Sequence, residues 1–168
     1  MTIKAIQTEY NGYRFRSRLE ARWAIYFDTL GTKYLYEYEG FDLGALGWYL
    51  PDFYFPDWSC WGEVKPTILT EEEYRKAASL PDTCILLDSE PRAAKAYYLT
   101  GGPHATEGEA YREYISGDQY GRIVLDQSQR KGRLWYLFGE SVEDYYIDLS
   151  PELAALSARF EYGESHAG

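Results

Sequence analysis

Between residues 17 and 65 the apolar positions change period, and this change restricts the chain to folds in which an amphipathic helix covers a sheet. From Ser17 to Leu30 the residues Leu19, Trp23, Tyr26, Phe27 and Leu30 recur at helical intervals, and Gly31 supplies a natural stop. Residues 33–38 (KYLYEY) and 48–55 (WYLPDFYF) are then rich in aromatic side chains and predict strands, with Gly40 to Gly47 turning between them. A third strand is expected over 60–65 (CWGEVK), ending at Pro66. Thr70 and Glu73 have the spacing of a capping box and open a helix through about Leu80. Pro81 and Asp82 lead into the apolar strand 83–88, TCILLD. The order is helix, three strands, helix, strand, and the fold class it predicts is α/β.

Beyond residue 100 the pattern predicts a short helix near 107–115, strands near 121–126 and 133–138, and a terminal helix from Pro151 to Phe160. Pro and Gly are dispersed and no repeat appears, so no linker suggests itself; a seam is expected near residues 100–105. A chain of 168 residues has the usual size of one domain. Residues 1–100 are therefore expected to form the core, and residues 101–168 an α+β extension packed on it within the same domain. No apolar stretch is long enough to span a membrane and no signal peptide is visible at the start, so the expectation is a soluble cytoplasmic protein. Cys60 and Cys84 fall in separate strand segments without any CxxC or Cys/His spacing, which predicts buried thiols rather than a zinc site or a disulfide.

The residues that suggest chemistry lie in the strands. Asp52 follows Pro51, and eleven residues later Glu63 and Lys65 occupy alternate positions of the next strand. Alternate residues share a face and stand roughly 6.5 Å apart, so Glu63 and Lys65 project together. If the two strands pair as a hairpin, Asp52 reaches the same end of the sheet. Two carboxylates there make a hard oxygen site suited to Mg²⁺, with Mn²⁺ as a substitute, and such a site accepts phosphate oxygens. A neighbouring lysine stabilises charge developing on phosphorus oxygens, or orients and deprotonates the attacking water. Glu20, on the first helix, is a candidate third ligand, yet Ser17 and Glu20 also have capping-box spacing. One rotamer is not expected to fill both roles.

Charge weighs against a simple DNA-coating protein, since the formal net charge is −10. Its distribution softens that objection. Residues 1–66 hold 7 basic and 9 acidic side chains, whereas residues 67–168 hold 10 and 18. Arg14, Arg16, Arg18 and Arg22 are expected to form a basic patch near the candidate site, with Arg16, Arg18, Arg22 and Lys76 as candidate phosphate contacts. The 18 tyrosines suggest stacking platforms for unpaired bases, but aromatic residues alternating within strands are better read as packing. His104 and His166 have no partners that would make a histidine-based site.

The ordered set Glu20, then Pro51 and Asp52, then Glu63 to Lys65 resembles the PD-(D/E)XK phosphodiesterase superfamily. The segments FRSRLEARWAIYFDTLG, YLPDFYFP and WGEVKPTILTEEEYRKA are similar to those of nuclease-like proteins from phages and bacteria, and the C-terminal SARFEYGE is similar to the endings of some of them. The resemblance covers residues 13–90. It implies a restriction endonuclease-like core, metal binding by Glu20, Asp52 and Glu63, catalysis assisted by Lys65, and DNA as the substrate, with a homodimer left open. The competing expectation is a catalytically silent, nuclease-fold binding protein, such as an acidic DNA mimic or inhibitor whose later half engages a basic partner.

Overall fold

The computed structural model describes residues 5–92, 96–100, 120–126, 131–137, 149–160 and 165–166. Strand β1 (Thr8–Tyr10) pairs antiparallel with β2 (Tyr13–Phe15) across Asn11 and Gly12. Both turn residues have positive φ, 48° and 80°, which is why Asn-Gly occupies a tight hairpin turn of this hand. Ser17 then opens α1 (Arg18–Leu30), and Gly31, at φ 74°, closes it by donating its N–H to Asp28 O. The expected helix is therefore present with the expected caps.

The strand expected over 33–38 shortens to β3 (Leu35–Tyr36), because Glu37 turns to φ 47° and leaves the extended region. The strand expected over 48–55 is divided. Strand β4 (Phe41–Asp42) and β5 (Trp48–Tyr49) form a separate small hairpin around a 3₁₀ turn at Gly44–Leu46, and the main sheet resumes only at β6 (Phe53–Phe55). Asp52 thus lies at a bend beside β6 rather than inside a strand. Pro51 has no N–H for a ladder, and the Asp52 carboxylate, rather than a strand carbonyl, receives the Val64 N–H. Strand β7 (Cys60–Lys65), helix α2 (Glu71–Ala78) and strand β8 (Cys84–Asp88) follow close to their expected positions. Both halves of the Thr70/Glu73 capping box are formed.

Strands β9 (Ala96–Leu99), β10 (Tyr120–Asp126) and β11 (Lys131–Leu137) complete a mixed sheet in the order β11-β10-β9-β8-β7-β6-β3. Only β7 and β8 run parallel within it, joined by the α2 crossover. The sheet continues without interruption from β9 to β10, on either side of the expected seam. The helix expected near 107–115 and nearly all of that seam lie outside the described residues. Helix α3 (Ser150–Ser157) packs against α1, ending before the expected Phe160 because Ala158 turns to an extended ψ of 129°. Strand β12 (Ser165–His166) lies parallel beside β1.

The sheet separates two apolar layers. Phe53, Phe55, Cys60, Val64, Ile85, Leu87 and Tyr97 meet α1 and α3, where Trp23, Phe27 and Ala155 are wholly buried. Trp61, Cys84, Leu86 and Tyr98 meet Leu69, Tyr74 and Ala77 around α2. The two cysteines are buried on opposite faces, as free thiols, so no disulfide joins them. Among the described residues, most aromatic side chains serve this packing, with Phe15 and Tyr36 at 4.4 Å and Phe27 and Phe55 at 4.6 Å between ring centroids. No helix among the described residues is long and apolar enough to cross a membrane.

Candidate active site

The β6–β7 register sets the site. Phe53 lies opposite Gly62 and Tyr54 opposite Trp61, so continuing the same register puts Asp52 opposite Glu63. Side chains at opposed positions share a face, and this face is the one that carries Trp61 toward α2. Gly62 makes the close pairing possible, since a Cβ there would lie 2.7 Å from the Phe55 ring. Asp52 Oδ2 accepts the Val64 N–H at 2.8 Å, which ties the acid to the strand that bears Glu63 and Lys65.

Glu20, Asp52, Glu63 and Lys65 all line one cleft of about 550 Å³, together with Arg16, Trp48, Tyr49, Glu73 and Lys76. The three acids are buried, with exposures of 7% for Glu20, 2% for Asp52 and 5% for Glu63. The expected quartet is therefore brought together, and Glu20 faces both ways. Its N–H donates to Ser17 Oγ at 3.1 Å, while its Oε1 accepts the Ser17 hydroxyl at 2.8 Å. Its Oε2 accepts Arg16 N–H at 3.1 Å and Tyr36 O–H at 2.5 Å. The same rotamer thus bonds the N-cap serine and lines the cleft, with both carboxylate oxygens engaged by internal donors.

The electrostatics are those of acids held close in a dry place. Burial pushes the Asp52 carboxyl well above its ordinary range, and Glu63 and Glu20 push it further; the Val64 N–H and Arg16 only partly oppose this. Burial likewise raises Glu63, against the Tyr49 hydrogen bond and the Lys65 charge. Burial works against the Lys65 ammonium, but Glu63 at 3.4 Å and Glu73 at 3.2 Å outweigh it and hold its pKa above the ordinary lysine value. Glu73 is lowered, since the Thr70 backbone and Lys65 together overcome its own desolvation.

Arg16 donates from NH2 to Asp52 Oδ1 at 2.6 Å, and its Nε lies 2.8 Å from Glu37. Tyr49 donates its hydroxyl to Glu63 Oε2 at 2.6 Å and, by burial, keeps that proton at any ordinary pH. Among the described residues, no three His, Cys, Asp or Glu side chains are arranged as a ready metal cage. Each oxygen of Glu20, Asp52 and Glu63 is turned to an internal donor. The donor set nevertheless suits a hard divalent cation, because two buried carboxylates, both raised by desolvation, gain from a positive charge beside them.

The expected basic patch disperses. Arg16 and Lys76 line the cleft, with Lys76 also 2.9 Å from Glu72. Arg14 lies exposed beside Glu9. Arg18 does not line the cleft, and its Nε is buried without a hydrogen-bond partner. Arg22 is committed elsewhere: its NH1 donates to the carbonyls of Ala155, Leu156 and Ala158 at 2.7, 3.2 and 3.1 Å, and its guanidinium lies over the Phe160 ring. It clasps the end of α3 and makes no cleft contact. Tyr36, Tyr49 and Glu73 join the site without having been expected there. Only Glu73 had a readable signal, since it stands one helical turn into α2 and so close to the strand end that bears Lys65. His104 lies outside the described residues. Comparison with protein-family models, with curated proteins and with solved structures returned no match.

Proposed function

We propose that this chain is a Mg²⁺-dependent nuclease of restriction endonuclease-like fold that hydrolyses phosphodiester bonds in DNA. The observation that carries the reading is the buried Asp52 and Glu63 pair, set opposite one another by the strand register, with the Lys65 ammonium beside them in an open cleft. Four acidic and three basic side chains line that cleft. A net negative lining repels a phosphodiester, and one divalent cation reverses the sign.

Asp52 and Glu63 would hold the ion, with Glu20 as an auxiliary ligand, and Arg16 would release Asp52 to do so, keeping Glu37 as its partner. When bound, the ion supplies charge neutralisation and lowers the pKa of the attacking water. Lys65, held between Glu63 and Glu73 and kept protonated by them, meets the negative charge that builds on the phosphoryl oxygens, so its role is electrostatic rather than that of a base. Tyr49 fixes the Glu63 carboxylate through Oε2 and leaves it no freedom to turn away.

The test is cleavage of single-stranded, duplex and branched DNA with Mg²⁺ or Mn²⁺. The Lys65→Ala chain is expected to lose roughly 10²-fold or more in rate, as positioned catalytic groups do. Calorimetric titration should find one divalent site that Asp52→Ala and Glu63→Ala each abolish. Metal binding without cleavage of any of these DNAs or of RNA would overturn the reading. It would favour the silent binding protein, which has one observation in its support: every oxygen of the three buried acids already has an internal donor.

A further inference from the structure

Trp48 is 68% exposed, the highest value among the exposed large apolar side chains described. It is nevertheless seated. A Cβ at Gly40 would lie 2.2 Å from the Trp48 ring, so the indole rests directly on the Gly40 backbone where any other residue would displace it. The ring is thus fixed against the backbone on one side while much of its surface stays open to solvent. Strand β5 gives the contrast: Tyr49 turns inward to Glu63, while its neighbour Trp48 stays exposed on the rim of the same cleft as Glu63, Lys65 and Lys76.

Resting on the nuclease reading above, we propose that Trp48 is a stacking platform for one unpaired base of a single-stranded DNA, whose adjoining phosphate enters the cleft beside Lys65. An exposed aromatic ring sharing one cleft with two ammonium groups matches the two halves of a nucleotide, a flat base and an anionic phosphate. Within a duplex both faces of an internal base are already stacked, so such a platform selects single strands or frayed ends. The cleft volume of about 550 Å³ suits a nucleotide and an ion.

The experiment measures anisotropy of a short fluorescein-labelled single strand of DNA, using the full chain with Lys65 intact and Ca²⁺ in place of Mg²⁺ to preserve the strand. Trp48→Ala is expected to weaken binding roughly 5- to 150-fold, the range for losing one stacked base. Trp48→Phe should retain most of the affinity, and the corresponding duplex should be bound equally by all three. Gly40→Ala leaves Trp48 in place but moves the indole, and should reproduce part of the loss. An abasic site scanned along the strand should find one position at which the Trp48→Ala chain and its parent bind alike. Unchanged single-strand affinity on Trp48→Ala, or an equal loss on duplex, overturns the stacking site, as does absence of any single-strand binding. Failure of the nuclease reading is separate, since it shows as absence of cleavage by the unmutated chain. Trp48-dependent binding without cleavage would leave the stacking site standing on a non-catalytic cleft.

Discussion

Asp52 is the residue at which structural and chemical demands conflict. It is buried, it anchors Val64 N–H, and burial with Glu63 and Glu20 raises its carboxyl well above the ordinary range. A raised carboxyl binds more protons folded than unfolded. The contribution of Asp52 to stability is therefore greatest below the unfolded value near pH 4 and falls as pH rises through the folded value. Asp52→Asn imitates the protonated acid. Without metal it is expected to raise the melting temperature at pH 8 by roughly 2–4 °C, equivalent to about 1 kcal/mol, and to give no gain at pH 4. Thermal melts of both chains at the two pH values check this, and a gain at pH 4 equal to that at pH 8 would refute the assignment. On the proposed metal-dependent reading, the same shift is expected to make DNA cleavage rise with pH above the ordinary carboxylate range, since a cation would need both acids ionised.

The β6–β7 hairpin is where local sequence and function meet. Gly62 is tolerated as the one small residue over which Phe55 and Phe53 close, with would-be Cβ contacts of 2.7 and 3.3 Å. Gly62→Ala is expected to cost about 1–3 kcal/mol, the usual range for overpacking, and to reduce cleavage although it touches no substrate, because moving β6 against β7 moves Asp52 against Glu63. Melting and cleavage measured together decide it; lost stability with unchanged cleavage would show that the register tolerates the shift. Elements with regular periods and side-chain caps are legible in the amino-acid sequence itself, as α1, α2 and β7 illustrate. The β5–β6 break is not, because Pro51 alone does not tell an interrupted strand from an edge strand. Asn11-Gly12 is a hairpin signal, but the strands it joins have only three residues each, below the length at which alternation can be read. Among site residues, Glu63 and Lys65 can be found because strand alternation is a local rule, whereas Asp52 is reached only by assuming that its segment pairs with theirs, since it lies at a bend and not in a strand. Arg16 is visible only as one of several arginines, and its pairing with Asp52 joins positions 36 apart in sequence. Tyr49 reaches Glu63 by a fold of the chain that no local pattern announces.

Over the whole molecule, the sheet with helices on both faces brings α1, β7 and α2 to one corner, and a divalent cation there should bind the folded chain alone. At a hundred times its dissociation constant such a ligand adds about 2.7 kcal/mol, so saturating Mg²⁺ or Mn²⁺ is expected to raise the melting temperature by roughly 5–10 °C at pH 8. The gain should vanish in Asp52→Asn and shrink toward pH 5, where protons compete for the raised acids. A gain of equal size in Asp52→Asn would place the ion elsewhere. The alternation of β7 has a consequence for folding as well. Its even positions face the α1 core and its odd positions the α2 side, with Trp61 in the apolar layer and Glu63 and Lys65 in the cleft, so a one-residue slip against β6 would thrust Glu63 among Phe53 and Phe55. Misregistered chains are thereby rejected by the acidic side chain that the site requires, and the chemistry proofreads the fold that carries it.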